Sequence, residues 1–158
     1  MCAFYKGDKM DEKYMRLALK ESKKSLLCDD VPVGAIVVKN NVVIAKGHNI
    51  KESTGVATKH AEIIAIEKAC RKLKSWRLDN CDLYVTMEPC LMCSGAIIQS
   101  RIGKVVYGIT NEKFGFARGV NSVFDLEKHN HKVILVGGVC EKEIEPILKD
   151  FFKGKRKQ

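Results

Sequence analysis

From Asp11 onward, apolar side chains return at helical spacing: Met15, Ala18, Leu19 and Leu26, with Ser22 the one polar member of the stripe. That period predicts an amphipathic helix whose opposite face carries Lys13, Arg16, Lys20, Lys23 and Lys24. Two short, β-branched runs follow, residues 33–38 and 42–45, and read as strands. Asn40 and Asn41 between them tolerate the positive φ of a tight hairpin turn. A second helix is predicted over residues 60–73, with Thr58 as its N-cap and Ile63, Ile66, Cys70 and Leu73 buried. Residues 83–86 form a third strand leading into Pro89, which suits a first helical turn, and that helix continues through Ile98. Residues 104–107 and 132–136 supply a fourth and a fifth strand. A last helix spans roughly residues 141–153, acidic at its start and basic at its end, with Gly154 as its stop. Five strands interleaved with helices predict an α/β fold, a three-layer α/β/α sandwich around a mixed five-stranded sheet. Residues 1–10 read as a loose N-terminal extension and residues 11–158 as one domain with a basic C-terminal tail.

Composition narrows the class. At 158 residues and 46% hydrophobic content, the chain suits a single core-forming domain. No apolar run approaches membrane-spanning length, and residues 1–7 lack the apolar stretch of a signal peptide, so a cytoplasmic protein is expected. Seven cysteines, odd in number and scattered, agree with a reducing compartment. The formal net charge of +9 favours a polyanionic partner.

The chemistry concentrates in two segments, His60-Ala61-Glu62 and Pro89-Cys90-Leu91-Met92-Cys93. This H-x-E and P-C-x-x-C combination is the signature of zinc nucleobase deaminases. His60, Cys90 and Cys93 provide three good zinc ligands, and three is the number that leaves a fourth position for water. Cys90 and Cys93, at i and i+3 near a helix N-terminus, face the same way and feel the positive end of the helix dipole, which favours thiolates. With His60 opening the other helix, two helix N-termini are predicted to meet at one metal. Glu62 is a poor second ligand and a better neighbour, placed to move protons between water, ring and leaving amine. The competing reading is a structural zinc knuckle in which Glu62 is a solvated helix residue. Against it, no second C-x-x-C closes a four-cysteine site. The remaining cysteines, Cys28, Cys70, Cys81 and Cys140, read as small buried hydrophobes and Cys2 as part of a disordered terminus.

From Asp11 to its end the chain resembles the bacterial tRNA-specific adenosine deaminases (the TadA family) of the cytidine deaminase-like superfamily. The likeness is carried by Val31-Pro32-Val33-Gly34-Ala35, Gly47-His48-Asn49, His60-Ala61-Glu62, Trp76-Arg77-Leu78, Leu83-Tyr84-Val85-Thr86 and Glu88-Pro89-Cys90. Gly95-Ala96-Ile97, Arg101-Ile102 and Asp150-Phe151-Phe152 extend it. The resemblance implies a homodimer, one zinc ion per subunit, and conversion of the wobble adenosine of a tRNA anticodon loop to inosine. It implies that His60, Cys90 and Cys93 bind the metal, that Glu62 shuttles protons, and that Asn49 hydrogen-bonds the nucleoside. Val33, Met87 and Asn111 are expected beside Asn49 at the substrate. Phe151, Lys155 and Arg156 of the basic, aromatic tail are expected at the RNA, where cations meet phosphates and a ring stacks on a base. Because adjacent helical positions diverge by about 100°, one of Phe151 and Phe152 is expected to close the core and the other to face outward.

The chain departs from the usual family pattern at Lys59, Leu91, Asn111 and the run Phe116-Ala117-Arg118-Gly119. Lys59, Asn111 and Arg118 add positive charge or avoid negative charge, which predicts stronger contact with a nucleic-acid backbone. A deaminase of free nucleobases or nucleosides would share the metal set but has no use for the tail. A non-catalytic RNA-binding subunit would have no need of Glu62.

Overall fold

Asp8, rather than Asp11, starts the first helix. In the computed structural model, which describes residues 4–157, α1 spans Lys9–Leu26. Asp8 Oδ1 accepts from the Asp11 N–H at 2.8 Å, and Asp11 Oδ2 accepts from the Asp8 N–H at 3.2 Å, a reciprocal capping box. Asp11 itself is buried, and its carboxylate takes Lys104 Nζ at 2.6 Å and the Tyr84 hydroxyl at 3.1 Å. The expected loose extension is also shorter than predicted, because β1 (Phe4–Tyr5) pairs parallel to β6 (Ile134–Val136). Those two residues cover backbone groups that a bare sheet edge would leave unpaired. Cys2 lies outside the described residues.

The remaining strands are β2 (Gly34–Lys39), β3 (Val42–His48), β4 (Cys81–Met87) and β5 (Lys104–Ile109), in the order β1-β6-β5-β4-β2-β3. All five expected strands are therefore present, with β1 added at one edge. β2 runs antiparallel to β3 and β4, whereas β4, β5 and β6 run parallel, so the sheet is mixed. The hairpin joining β2 to β3 turns on Asn40 and Asn41, with φ of 49° and 61°.

Helices cover both faces. On one, α3 (Ala61–Leu73) and α4 (Leu91–Gln99) pack on Ala35 and Val37 of β2 and Val85 of β4. On the other, α1 and α5 (Glu141–Lys155) pack on Ile36, Val38 and Tyr84. The alternation along β2 follows from the two-residue period of a strand, and burial on both sides explains its continuous apolar run. Two glycines set the spacing. A Cβ on Gly34 would run into the Ala18 carbonyl oxygen of α1, and one on Gly47 into the Ala61 carbonyl oxygen of α3. Close approach at Gly47 also explains why α3 buries Ala61, Ala65 and Ala69 with Ile66. Cys70 and Leu73, expected inside, are only partly buried, and Ile63 lies at the margin. A four-residue helix, α2 (Lys51–Thr54), was not expected. Helix α5 continues one residue past the predicted stop at Gly154. Cys81 is buried as predicted, but Cys28 is exposed and Cys70 and Cys140 are half-buried.

Candidate active site and metal centre

The two motifs arrive at one place because each stands at the N-terminus of a helix. His60 is the N-cap of α3 and Cys90 the N-cap of α4, both with extended backbone, so Cys93 falls in the first turn of α4. Thr58 does not cap α3; its carbonyl instead accepts the His60 N–H at 2.8 Å. Pro89 stands one residue outside the helix, and its carbonyl accepts the Phe116 N–H at 2.9 Å.

His60 Nδ1 lies 3.7 Å from Cys90 Sγ and 3.6 Å from Cys93 Sγ, and all three ligand atoms fall within 4.8 Å of one another. A tetrahedral zinc ion with Zn–S of about 2.3 Å and Zn–N of about 2.0 Å sets its N···S separations at about 3.5 Å. The donor set therefore fits zinc. Among the described residues, no fourth His, Cys, Asp or Glu joins the cluster. Cys93 is fully buried, while His60 and Cys90 are half-buried and open onto a cavity. Hydrogen bonds from Cys93 and then His60 push the Cys90 thiol down to about 4, although burial opposes them. The Cys90 sulfur in turn raises the His60 imidazole above its ordinary value, against burial. The three groups thus share protons among themselves, and zinc would displace those held on Cys93 and His60, since it binds thiolates and neutral imidazole.

Glu62, only 4% exposed, sits one helical step inside α3. Burial pushes its carboxyl up to about 7, and the negative charge of Cys90 adds to this against the opposing backbone N–H, His60 and Cys93. A carboxyl that exchanges its proton near neutrality is suited to general acid–base work.

The cavity holds about 770 Å³, within the range of small-molecule sites. Of the expected residues, Val33, Asn49, His60, Glu62, Met87, Cys90, Asn111 and Arg156 line it. Asn49 follows the last residue of β3 and is 8% exposed. Its N–H donates to the Val33 carbonyl at 3.0 Å, but its side-chain Oδ1 is buried without a partner among the described residues. Such an acceptor costs free energy unless a ligand satisfies it. Asn111 Nδ2 contacts Met87 Sδ at 3.6 Å, joining two of the expected walls.

The tail divides differently from its prediction. Phe152 and Arg156, one helical turn apart, line the cavity, whereas Phe151 and Lys155 line a neighbouring recess of about 520 Å³. Lys155 pairs there with Asp29 and lies 5.6 Å from the Phe151 ring. Neither ring closes the core; they stack edge to face at 5.5 Å. Of the departures, Asn111 lines the cavity, but Lys59 turns to Glu67 at 3.5 Å and Arg118 lies outside the lining.

Two residues of the site had no assigned role. Asp30 is buried and accepts the N–H groups of Glu52 (2.7 Å) and Ser53 (3.0 Å), fixing α2 at the cavity wall. Glu88, also buried, holds the long connection from β5 to β6. Its Oε1 accepts the N–H groups of Ala117 (3.0 Å), Arg118 and Gly119 (2.7 Å), and its Oε2 that of Asn111 (2.9 Å). Its place in the Glu88-Pro89-Cys90 segment, just past the apolar run of β4, is the sequence signal for it.

The chain matches the MafB19-like deaminase family over residues 9–156. It is 42% identical to the tRNA-specific adenosine deaminase of Bacillus subtilis (strain 168), over 94% of this chain and 92% of that protein. A tRNA-specific adenosine deaminase of Aquifex aeolicus (strain VF5) is also 42% identical, over 90% of this chain and 93% of its own. A structure solved in a study of A-to-I editing by tRNA:A34 deaminases at the wobble position of transfer RNA superposes with a TM-score of 0.80. That structure is 38% identical in sequence, and the match covers 86% of this chain and 99% of that one.

Proposed function

We propose a mechanism for a chain that belongs to the family of tRNA-specific adenosine deaminases: it hydrolyses the wobble adenosine of a tRNA anticodon loop to inosine and ammonia. One observation carries the reading. Three zinc-matched donors meet at the wall of a nucleoside-sized cavity, onto which His60, Cys90 and the raised carboxyl of Glu62 all open.

His60, Cys90 and Cys93 would hold one zinc ion per subunit. When bound, zinc supplies a Lewis-acidic centre that makes water a competent nucleophile near neutral pH. Glu62 takes a proton from the attacking water, delivers it to ring nitrogen, and passes a second to the departing amine as C6 exchanges nitrogen for oxygen. Its buried position, which holds its carboxyl at about 7, lets it both accept and release protons without a large free-energy step. Asn49 Oδ1 fixes the nucleoside by accepting a donor from it, while Val33 and Met87 wall the ring and Asn111 closes the lip. Arg156 meets a phosphate at the mouth. Phe151 and Lys155, in the adjoining recess, serve a nucleotide beyond the target.

An anticodon loop presents an unstacked base at less cost than a duplex, which suits a recessed centre. Among the described residues, no helix is long and apolar enough to cross a membrane. Free thiols and a tRNA substrate favour a cytoplasmic setting. We include a homodimer, for which Leu91, Val120 and Leu126 supply exposed apolar surface.

Glu62→Gln tests the mechanism. The variant keeps its fold, its zinc content and its affinity for an anticodon stem-loop, and loses inosine formation by about 10²–10⁴-fold. A variant that edits at the wild-type rate refutes the proton-carrying role. Wild-type protein that turns over free adenosine or guanine but no stem-loop refutes the RNA substrate.

A further inference from the structure

Phe114 and Phe152 belong to neither apolar core, yet both line the catalytic cavity at its mouth. Phe152 is 42% exposed and Phe114 67%. The two rings come from different elements, Phe152 from α5 and Phe114 from the connection between β5 and β6. An exposed ring on a slack loop would mean little, but Phe114 is held. Asn111 Oδ1 accepts the N–H groups of Lys113 (3.3 Å) and Phe114 itself (3.1 Å). On its far side, the Gly115 N–H donates to the Asn111 carbonyl at 2.8 Å. The Glu88 carboxylate then grips Asn111 before the ring and Ala117, Arg118 and Gly119 after it. Four backbone donors on one buried carboxylate fix a large apolar surface where water should otherwise cover it. Lys113 and Arg156 line the same mouth and give it the charge that phosphates seek.

We propose that Phe114 is a stacking platform for a nucleotide adjacent to the target adenosine, held ready by the Glu88 and Asn111 clamps. This rests on the RNA substrate proposed above and names one of its subsites. The ring presents a face to a neighbouring base, and because every base has such a face the contact is tolerant of sequence. Stacking that neighbour outside the cavity while the adenosine enters also stabilises the splayed loop that the reaction requires.

The test measures kcat/KM on an anticodon stem-loop for the zinc-loaded wild type and for Phe114→Ala, Phe114→Leu and Phe114→Tyr. Alanine and leucine variants lose about 5- to 100-fold, and tyrosine, which keeps the ring, stays near wild type. The same proteins are then assayed on stem-loops carrying an abasic site on the 5′ or the 3′ side of the target. With one of these, Phe114→Ala costs nothing further, since the ring has lost its base. Full activity of Phe114→Leu, or additive losses with both abasic substrates, overturns the proposal. So does a variant that changes subunit association by light scattering and leaves kcat/KM alone, since the ring would then be covered by a second copy. Wild-type inosine formation in the intact stem-loop is scored separately. Its absence removes the substrate reading, whereas its presence beside an indifferent Phe114 removes only the platform.

Discussion

Replacing Glu88 by glutamine removes a charge and half of the acceptor capacity on which the cavity lip depends. In the native chain Oε1 accepts three backbone N–H groups and Oε2 a fourth. A hydrogen bond to a charged group contributes about 1.5–3 kcal/mol, roughly twice a neutral one. Glutamine keeps an oxygen for the three donors at Ala117, Arg118 and Gly119, so those bonds lose only their charge assistance. It turns an amide N–H toward the Asn111 N–H, so that bond is lost outright and two donors oppose. Only the Ala117 donor is deeply buried, which places the others at the low end of the scale. The sum is a destabilisation of about 4 kcal/mol. A domain with about 5–15 kcal/mol of stability survives that. The loss should therefore appear first as local opening of residues 111–119. Urea unfolding gives the global cost, and amide hydrogen exchange at Asn111, Ala117, Arg118 and Gly119 gives the local one. A stability change under about 0.5 kcal/mol with unaltered exchange at those four amides would show that Glu88 does not hold the lip.

Two further outcomes follow from packing and titration. Gly47→Ala places a methyl group against the Ala61 carbonyl and 2.8 Å from the Ala65 N–H, so α3 must move and take His60 with it. Overpacking of this kind costs about 1–3 kcal/mol, and the purified variant should carry less zinc; a full metal complement with native stability contradicts the packing. Asp30 titrates below the usual carboxylate range: burial pushes it up, but the Glu52 and Ser53 N–H groups, the Ser53 hydroxyl and Lys51 outweigh that. Its contribution is thus fully present above the unfolded value of about 3.9 and is lost as pH falls through the lower folded value. Asp30→Asn should flatten the acid limb of Tm against pH, and an acid limb identical to wild type would remove Asp30 from the account.

The candidate site residues were readable because their identities are unusual and their spacing short. His60, Glu62, Cys90 and Cys93 stood out as types, and the N-terminal placement of two of them on helices could be argued from neighbours in the chain. Local rules also gave the hairpin at Asn40 and Asn41 and the apolar stripe of α1. The misses share one cause. Asp30 meets Glu52 and Ser53 across more than twenty residues, and Glu88 reaches Ala117, Arg118 and Gly119 across about thirty. The strand at Phe4 and Tyr5 exists only because β6 offers an edge far along the chain. The divergence of Phe151 and Phe152 by about 100° holds, but the ring expected in the core is not there: Phe152 goes to the cavity and Phe151 to the recess, surfaces that other elements build.

What the amino-acid order determined alone is the reaction class, the four long helices and the five central strands, because these depend on side-chain type and on interactions a few residues long. What only the folded chain decided is where unsatisfied and exposed groups face: the lone acceptor of Asn49, the buried carboxyl of Glu62, the pinned ring of Phe114. Those depend on which distant backbones come within hydrogen-bonding reach, and no local pattern encodes that distance.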